Sequence, residues 1–315
     1  ELLAAAAAGR LTSGAERYTQ AVRLLGGPQA IPQFQRFVEE WLGLVQLPML
    51  AKSPMLALDF AALSAAMHSE TQNFVADVMA ADGGSLPALF SAGYSFVPDL
   101  LAHFYGIQPV PAGSRVFLRE LGRAGILQQG SFLSVFAHEA ESAPVLRGKA
   151  VLTRVLCRTM PEPQEFGIDL VFPAPDPNAT TRGRFERHAV DPLCKSCHSQ
   201  LDPVGFSFEN FDAIGRVRNM DGGHAVDTHG SITLDGATLE LTDSVALSDA
   251  IAQSEELRTC AARQVVRFAS GRKDERAEAA FVAEVATLPP AWRATLVGLF
   301  LSYVKSEGFA WRVNQ

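Results

Sequence analysis

The chain has little of several things, and each scarcity narrows its chemistry. Of 315 residues only four are cysteine, three tryptophan and four tyrosine, and charged residues make up 19%. No basic run or aromatic-interleaved stripe occurs, which argues against a nucleic-acid partner. No apolar stretch approaches the roughly 20 residues that span a membrane as a helix. A Gly-rich phosphate loop and a nucleophile elbow are both missing, so phosphate cradling and serine-hydrolase chemistry find no motif. His138-Glu-Ala-Glu-Ser142 lacks the second histidine of the H-E-x-x-H zinc string. The opening Glu1-Leu-Leu-Ala-Ala-Ala-Ala-Ala-Gly9 has neither a starting Met nor a basic region. It reads as a helix entered part-way, so a piece of a longer, processed polypeptide is expected rather than an intact signal peptide.

What remains is an ordinary globular composition, 48% hydrophobic, with 27 Lys and Arg against 34 Asp and Glu and a net charge of −7. That length and balance suit one large domain or two to three small ones, and a weakly acidic surface suits a basic redox partner. The fold class expected is mainly α, with helical modules around a cofactor segment and one minor β-hairpin. Apolar residues recur at helical spacing over Thr19–Leu25, Phe34–Leu44 and Leu56–Met79. Phe34, Phe37, Val38, Trp41 and Leu42 share one face. Gly26-Gly27-Pro28 and Asp82-Gly83-Gly84 are the stops. Met49, Met55, Met67 and Met79 read as core filler and His103 as a helix-packing residue. A short helix around Ser131–Ala137 follows, and the proline-rich stretch from Met160 to Pro177 reads as an extended connector. Ser231-Ile-Thr-Leu-Asp235-Gly236-Ala-Thr-Leu-Glu-Leu241 alternates on both sides of an Asp-Gly turn, the signature of a hairpin. Helices are then expected over Asp243–Arg272, Glu275–Val285 and Ala291–Lys305. Boundaries near 150 and 242 divide the chain into modules 1–150, 151–242 and 243–315.

Residues 194–198, Cys-Lys-Ser-Cys-His, carry the chemistry. C-x-x-C-H is the string on which haem c is attached through two thioether bonds, with the adjacent histidine as axial iron ligand. A structural disulfide and half of a zinc site are the competing readings, and no second Cys or His pair follows at zinc-ribbon spacing. One covalent haem c is therefore expected on Cys194, Cys197 and His198. In bacteria such attachment takes place outside the cytoplasm, so a periplasmic or cell-surface location follows. That compartment permits disulfides, and Cys157 with Cys260 read as a bridge, two free buried thiols being the alternative.

The residues around the string, Arg187-His188-Ala-Val-Asp-Pro-Leu-Cys194 through Asp202-Pro203-Val-Gly205 to Glu209-Asn210-Phe211-Asp212-Ala-Ile-Gly215-Arg216, add a family resemblance. The segment resembles the cytochrome module of planctomycete-type multidomain cytochromes, also common in myxobacteria, built from consecutive modules of unknown function. Phe37-Val-Glu-Glu-Trp41-Leu-Gly43-Leu, Leu101-Ala-His-Phe-Tyr105-Gly106 and Ser142-Ala-Pro144-Val-Leu-Arg147-Gly148-Lys149 resemble the helical module that precedes the haem. Cys260-Ala-Ala-Arg263-Gln264-Val-Val-Arg267-Phe-Ala-Ser-Gly271-Arg272 resembles the small helical module that follows. The resemblance implies an exported bacterial protein, is compatible with a Cys157–Cys260 bridge, and supplies no substrate. Relatives often carry a His near the position of Gln129; if that His ligates haem there, this chain uses another group.

The string fixes one side of the iron only. His138, His188, Met220 and Met160 are the candidates for the second axial ligand. Arg182, Arg184, Arg187 and Arg216 are the guanidinium groups suited to the haem propionates. Glu209 and Asp212 read as a capping and turn network in preference to an acid/base pair. Asp202-Pro203 and Gly205 read as a turn after the haem helix, and His224, Asp227 and His229 as solvated turn residues rather than a metal site. Single-electron transfer, with a redox protein or the other subunits of a cytochrome complex as partner, is the expected role. A peroxidase-like haem enzyme with an open iron face and a structural or sensory haem module are the rivals.

Overall fold

Apolar residues three and four apart become buried helix faces, and the five residues picked from the sequence show it. The helix Ala30–Leu42 buries Phe34, Phe37, Val38, Trp41 and Leu42. Phe37 meets Phe268 and Phe300 edge-on at 5.3 and 5.1 Å, and the indole N–H of Trp41 donates to the carbonyl of Arg154 at 2.7 Å. An early helix is thus tied to the middle of the chain and to its C-terminal helices by aromatic packing and one satisfied polar tip. The computed structural model describes residues 1–161, 174, 176, 178–188 and 192–310, with the side chains of 187, 188, 192 and 193 outside the description.

The architecture is mainly α, with three small two-stranded sheets among the described residues. One hydrophobic cluster runs from Phe34 to Tyr303 and draws on all three sequence segments; a second gathers Leu47, Phe60, Leu63, Met67, Leu101, Leu118 and Ile214. Strands Gly230–Leu234 and Ala237–Leu241 form the expected antiparallel hairpin, with Asp235 at φ +50° and Gly236 at φ +83° in its two-residue turn. Cys157 and Cys260 are bridged, with Cα atoms 5.2 Å apart across a sequence separation of 103. Among the described residues no helix is long and apolar enough to cross a membrane. The connector expected over Met160–Pro177 lies largely outside the described residues.

Several elements differ from the sequence reading for local reasons. The helix read from Thr19 begins at Gly14, and the helix read from Leu56 begins at Phe60, where the Asp59 carboxylate accepts from the backbone N–H of Ala62 at 2.9 Å. The long helix expected over Asp243–Arg272 is two, Ser244–Gln253 and Glu255–Ser270. Ser254 turns extended between them and caps the second by accepting from Leu257 N–H at 3.1 Å. Thr295 likewise splits Pro290–Arg293 from Leu296–Lys305. Met67 and Met79 are core residues as expected, but Met49 and Met55 are 76% and 95% exposed. His103 is also exposed, in the last turn of the helix Asp99–Tyr105, and does not pack between helices.

Candidate functional site

The helix Pro192–Phe206 carries the C-x-x-C-H string and extends through Asp202, Pro203 and Gly205, so the turn expected there is the last part of the same helix. Its placement is set by contact of backbones. A Cβ at Gly205 would overlap the carbonyl of Pro144, so only glycine lets this helix lie against the helix Pro144–Ala150. Leu201 and Val204 bury themselves on that side, and Cys197 packs against the main cluster. Cys194 and Cys197 are partly buried, and neither is in a disulfide.

His198 lies two turns before Gly205 on the same helix. Its Nδ1 lies 2.9 and 3.0 Å from the two carboxylate oxygens of Asp202, one helical turn on, and Asp202 is 6% exposed. A carboxylate only accepts, so the Nδ1 proton donates to it. That bond fixes the ring's orientation and its tautomer. The i to i+4 spacing carried this signal, but Pro203 suggested a turn and hid it.

A cavity of about 410 Å³ opens beside His198, lined among others by Arg182, Lys195, Phe206, His229 and Glu240. Two larger cavities, about 1000 and 1180 Å³, lie between the N-terminal and C-terminal helices and carry no cysteine, histidine or methionine. The smaller cavity is the one that His198 lines, and neither Cys194 nor Cys197 is among its lining residues.

The residues singled out in the sequence fall into two groups. Arg182 is at the cavity, stacked 4.8 Å over the ring of Phe206 and paired with Glu186 and Asp227. Arg184 is buried and pairs with Glu141 at 3.0 Å. Arg216 lies elsewhere, donating to the carbonyl of Leu56 at 3.0 Å and stacking 5.2 Å over Phe104. The side chains of Arg187 and His188 fall outside the described residues. His138 is not among the cavity's lining residues. Its backbone N–H donates to Glu141, its carbonyl accepts from Lys52 at 2.7 Å, and burial pushes its imidazole pKa down. Met160 packs against the main cluster, and Met220 is 56% exposed on a two-residue strand paired with Ala225. Gln129 is buried, accepting from Thr71 at 2.7 Å and donating to Ser95 at 3.3 Å.

Glu209 and Asp212 form the turn network. Asp212 accepts from the backbone N–H groups of Ile214 and Arg216 at 2.9 and 2.8 Å. Glu209 is fully buried and accepts from Arg218 at 2.8 Å and from Ser142 at 3.1 Å. Burial pushes its carboxyl pKa up, against the opposing pull of Arg218 and Arg147. Arg147, missed in the sequence, is the centre of this network. Wholly buried, it donates to the carbonyls of Leu133, Phe208, Phe211 and Asp212 at 3.2, 3.1, 2.9 and 2.6 Å. Burial brings its pKa down to about 10, and the Glu209 carboxylate 4.0 Å away opposes the fall. One cation thus gathers the loop that leaves the Pro192–Phe206 helix. His224 donates from Nε2 to the Asn178 carbonyl at 3.0 Å, while His229, at the cavity, pairs with Asp227 at 2.8 Å. Although its partial burial acts the other way, the backbone and ring of His229 and the charge of Arg182 hold the Asp227 carboxyl below its usual pKa. Among the described residues no group of three or more metal-binding side chains occurs.

Two stretches of the chain match known families. Residues 1–107 match PSD4, a protein family of unknown function (DUF1592), and residues 123–221, which hold the C-x-x-C-H string, match PSCyt3, a protein family of unknown function (DUF1588). The chain thus carries two modules of families found in multidomain cytochrome c-like proteins. No curated protein and no solved structure matches it.

Proposed function

We propose that the chain is the monohaem c-type cytochrome portion of a larger extracytoplasmic redox protein or complex, and that it transfers single electrons. The observation that carries this reading is a division of labour among four cysteines. Cys157 and Cys260 are bridged, whereas Cys194 and Cys197 stay out of any disulfide, three residues apart on one helix with His198 beside them. The donor set suits haem c: two thiols for thioether bonds and an imidazole whose orientation a buried carboxylate already holds. Bound haem supplies a one-electron iron couple. The chain's own part is to hold and tune it. Cys194 and Cys197 fix the position, and His198 coordinates through Nε2. Asp202 keeps the Nδ1 proton in place and makes the imidazole a stronger donor, which favours the oxidised state. Arg182, which lines the cavity beside His198, offers a guanidinium for a carboxylate such as a propionate. An exported location agrees with the disulfide.

The chain expressed in a bacterium with a haem c maturation system tests this. Haem is expected to remain on the protein after acid–acetone extraction, and Cys194→Ala with Cys197→Ala to abolish it. An extracted wild type without haem overturns the reading. A ferric spectrum unchanged by cyanide or peroxide, with reversible reduction, is the further expectation; a spectrum that shifts with either turns the assignment to a haem enzyme.

A further inference from the structure

We propose that the cavity of about 1000 Å³ between the helix Gly14–Leu25 and the C-terminal helices binds a neutral saccharide chain, a function separate from the haem reading. Its aromatic wall pairs Tyr18 with Trp292 of the helix Pro290–Arg293, their rings stacked at 6.3 Å, and Phe281 lines it as well. Packing holds that wall in place. Buried Arg17 donates to the carbonyls of Val304, Lys305 and Ser306 at 2.8, 3.0 and 2.9 Å, which ties the Tyr18 helix to the end of Leu296–Lys305. A Cβ at Gly298 would overlap the carbonyl of Trp292, so only glycine lets the tryptophan segment lie so close. A wall already in place spares a ligand the cost of ordering it.

The same cavity is lined by polar groups that the fold leaves unspent. Among the described residues, the Tyr18 hydroxyl, the Trp292 indole N–H, the Ser302 hydroxyl, the Glu284 carboxylate and the Lys305 ammonium make no hydrogen bond. Ser302 is only 5% exposed, and a hydroxyl so enclosed needs a partner from the cavity side. Burial pushes the Glu284 carboxyl pKa up, against the pull of Lys305. These groups select the ligand's chemistry. An anion would meet Glu284, and a cation would meet Lys305. A free amino acid satisfies both charges but fills little of about 1000 Å³. Donors and acceptors interspersed on aromatic surface match an uncharged chain of hydroxyls. One face of a sugar ring presents weakly positive C–H bonds, which suit the negative faces of Tyr18 and Trp292, while its hydroxyls take the polar groups.

Titration calorimetry of the whole exported chain with cellotetraose, xylotetraose and chitotetraose tests this. At least one is expected to bind with a Kd at or below about 1 mM. Trp292→Ala should weaken that binding about tenfold or more, while Trp292→Phe retains most of it. Glu284→Gln should weaken it by a smaller factor. Both residues are exposed, so each variant should keep the wild-type midpoint in urea, which separates lost recognition from lost folding. Binding of none of the three sugars, binding that survives Trp292→Ala, or binding of phenylalanine or choline in their place overturns the proposal. Haem attachment should be the same in every variant, so a failure here is distinct from a failure of the reading of Cys194, Cys197 and His198.

Discussion

On one side of the cavity, His198 and Asp202 stand on a helix pressed against its neighbour at Gly205, and the loop beyond is gathered by the wholly buried Arg147. On the other side, His229 and Asp227 stand on an exposed turn braced by Arg182. Both sides end in an imidazole on a carboxylate, yet one geometry is set by close packing and the other by ion pairs near water. Packing and buried hydrogen bonds resist salt, while exposed pairs contribute little and are screened. The first side should therefore govern stability, and the second should contribute little to it.

Arg147→Met should break the first side most severely. It strands four carbonyls and leaves Glu209 with one cation fewer, a loss of about 3–5 kcal/mol in urea unfolding. A loss below about 1 kcal/mol would contradict the role given to the buried guanidinium. Replacing Cys157 and Cys260 together by serine should cost about 2–4 kcal/mol, because the bridge closes a long loop, without altering haem attachment. Retained stability, or a lost haem signal, would blur the separation of the two cysteine pairs.

A pH titration offers a control away from both sides. Glu70 is fully buried, and desolvation pushes its pKa up to about 7, against the hydrogen bond from Tyr105 and the charge of Arg123. Because the folded state holds this proton more tightly, its contribution is present below the ordinary carboxyl pKa of about 4.5 and is lost as pH rises to about 7. Stability should fall through that window by an amount on the order of 3 kcal/mol, and Glu70→Gln should flatten the fall. An unchanged slope in the variant would remove Glu70 as the cause. The smallest stability effect belongs to the second side. Asp227→Asn should change unfolding by less than about 1 kcal/mol, and the change should shrink further in high salt.

Much of this layout is legible in the residues, and what is hidden has a common cause. The C-x-x-C-H string, the aromatic face of Ala30–Leu42 and the Asp-Gly hairpin are local patterns, and each appears where the spacing places it. Ser254 and Thr295 interrupt apolar periodicity that looks continuous, since a single hydroxyl that caps a helix barely disturbs the pattern. Asp202 was within reach at i+4 from His198, but Pro203 pointed to a turn; the proline is accommodated inside the helix instead. Arg147 could not be found locally, because its partners lie 14 and 61–65 residues away and are carbonyls, which every residue has. His229 was hidden for the same reason. Its Gly-rich surroundings suggest a solvated turn, and only the approach of Gly230 to Pro203 brings it to the cavity that His198 also lines.

The most direct test of the central claim is the mass of the intact exported chain after denaturation and acid–acetone extraction. The account predicts the polypeptide mass plus one haem, with the addition mapping to the peptide that holds Cys194 and Cys197. A chain carrying no haem, or one in which Cys194 and Cys197 are found joined to each other, would contradict it.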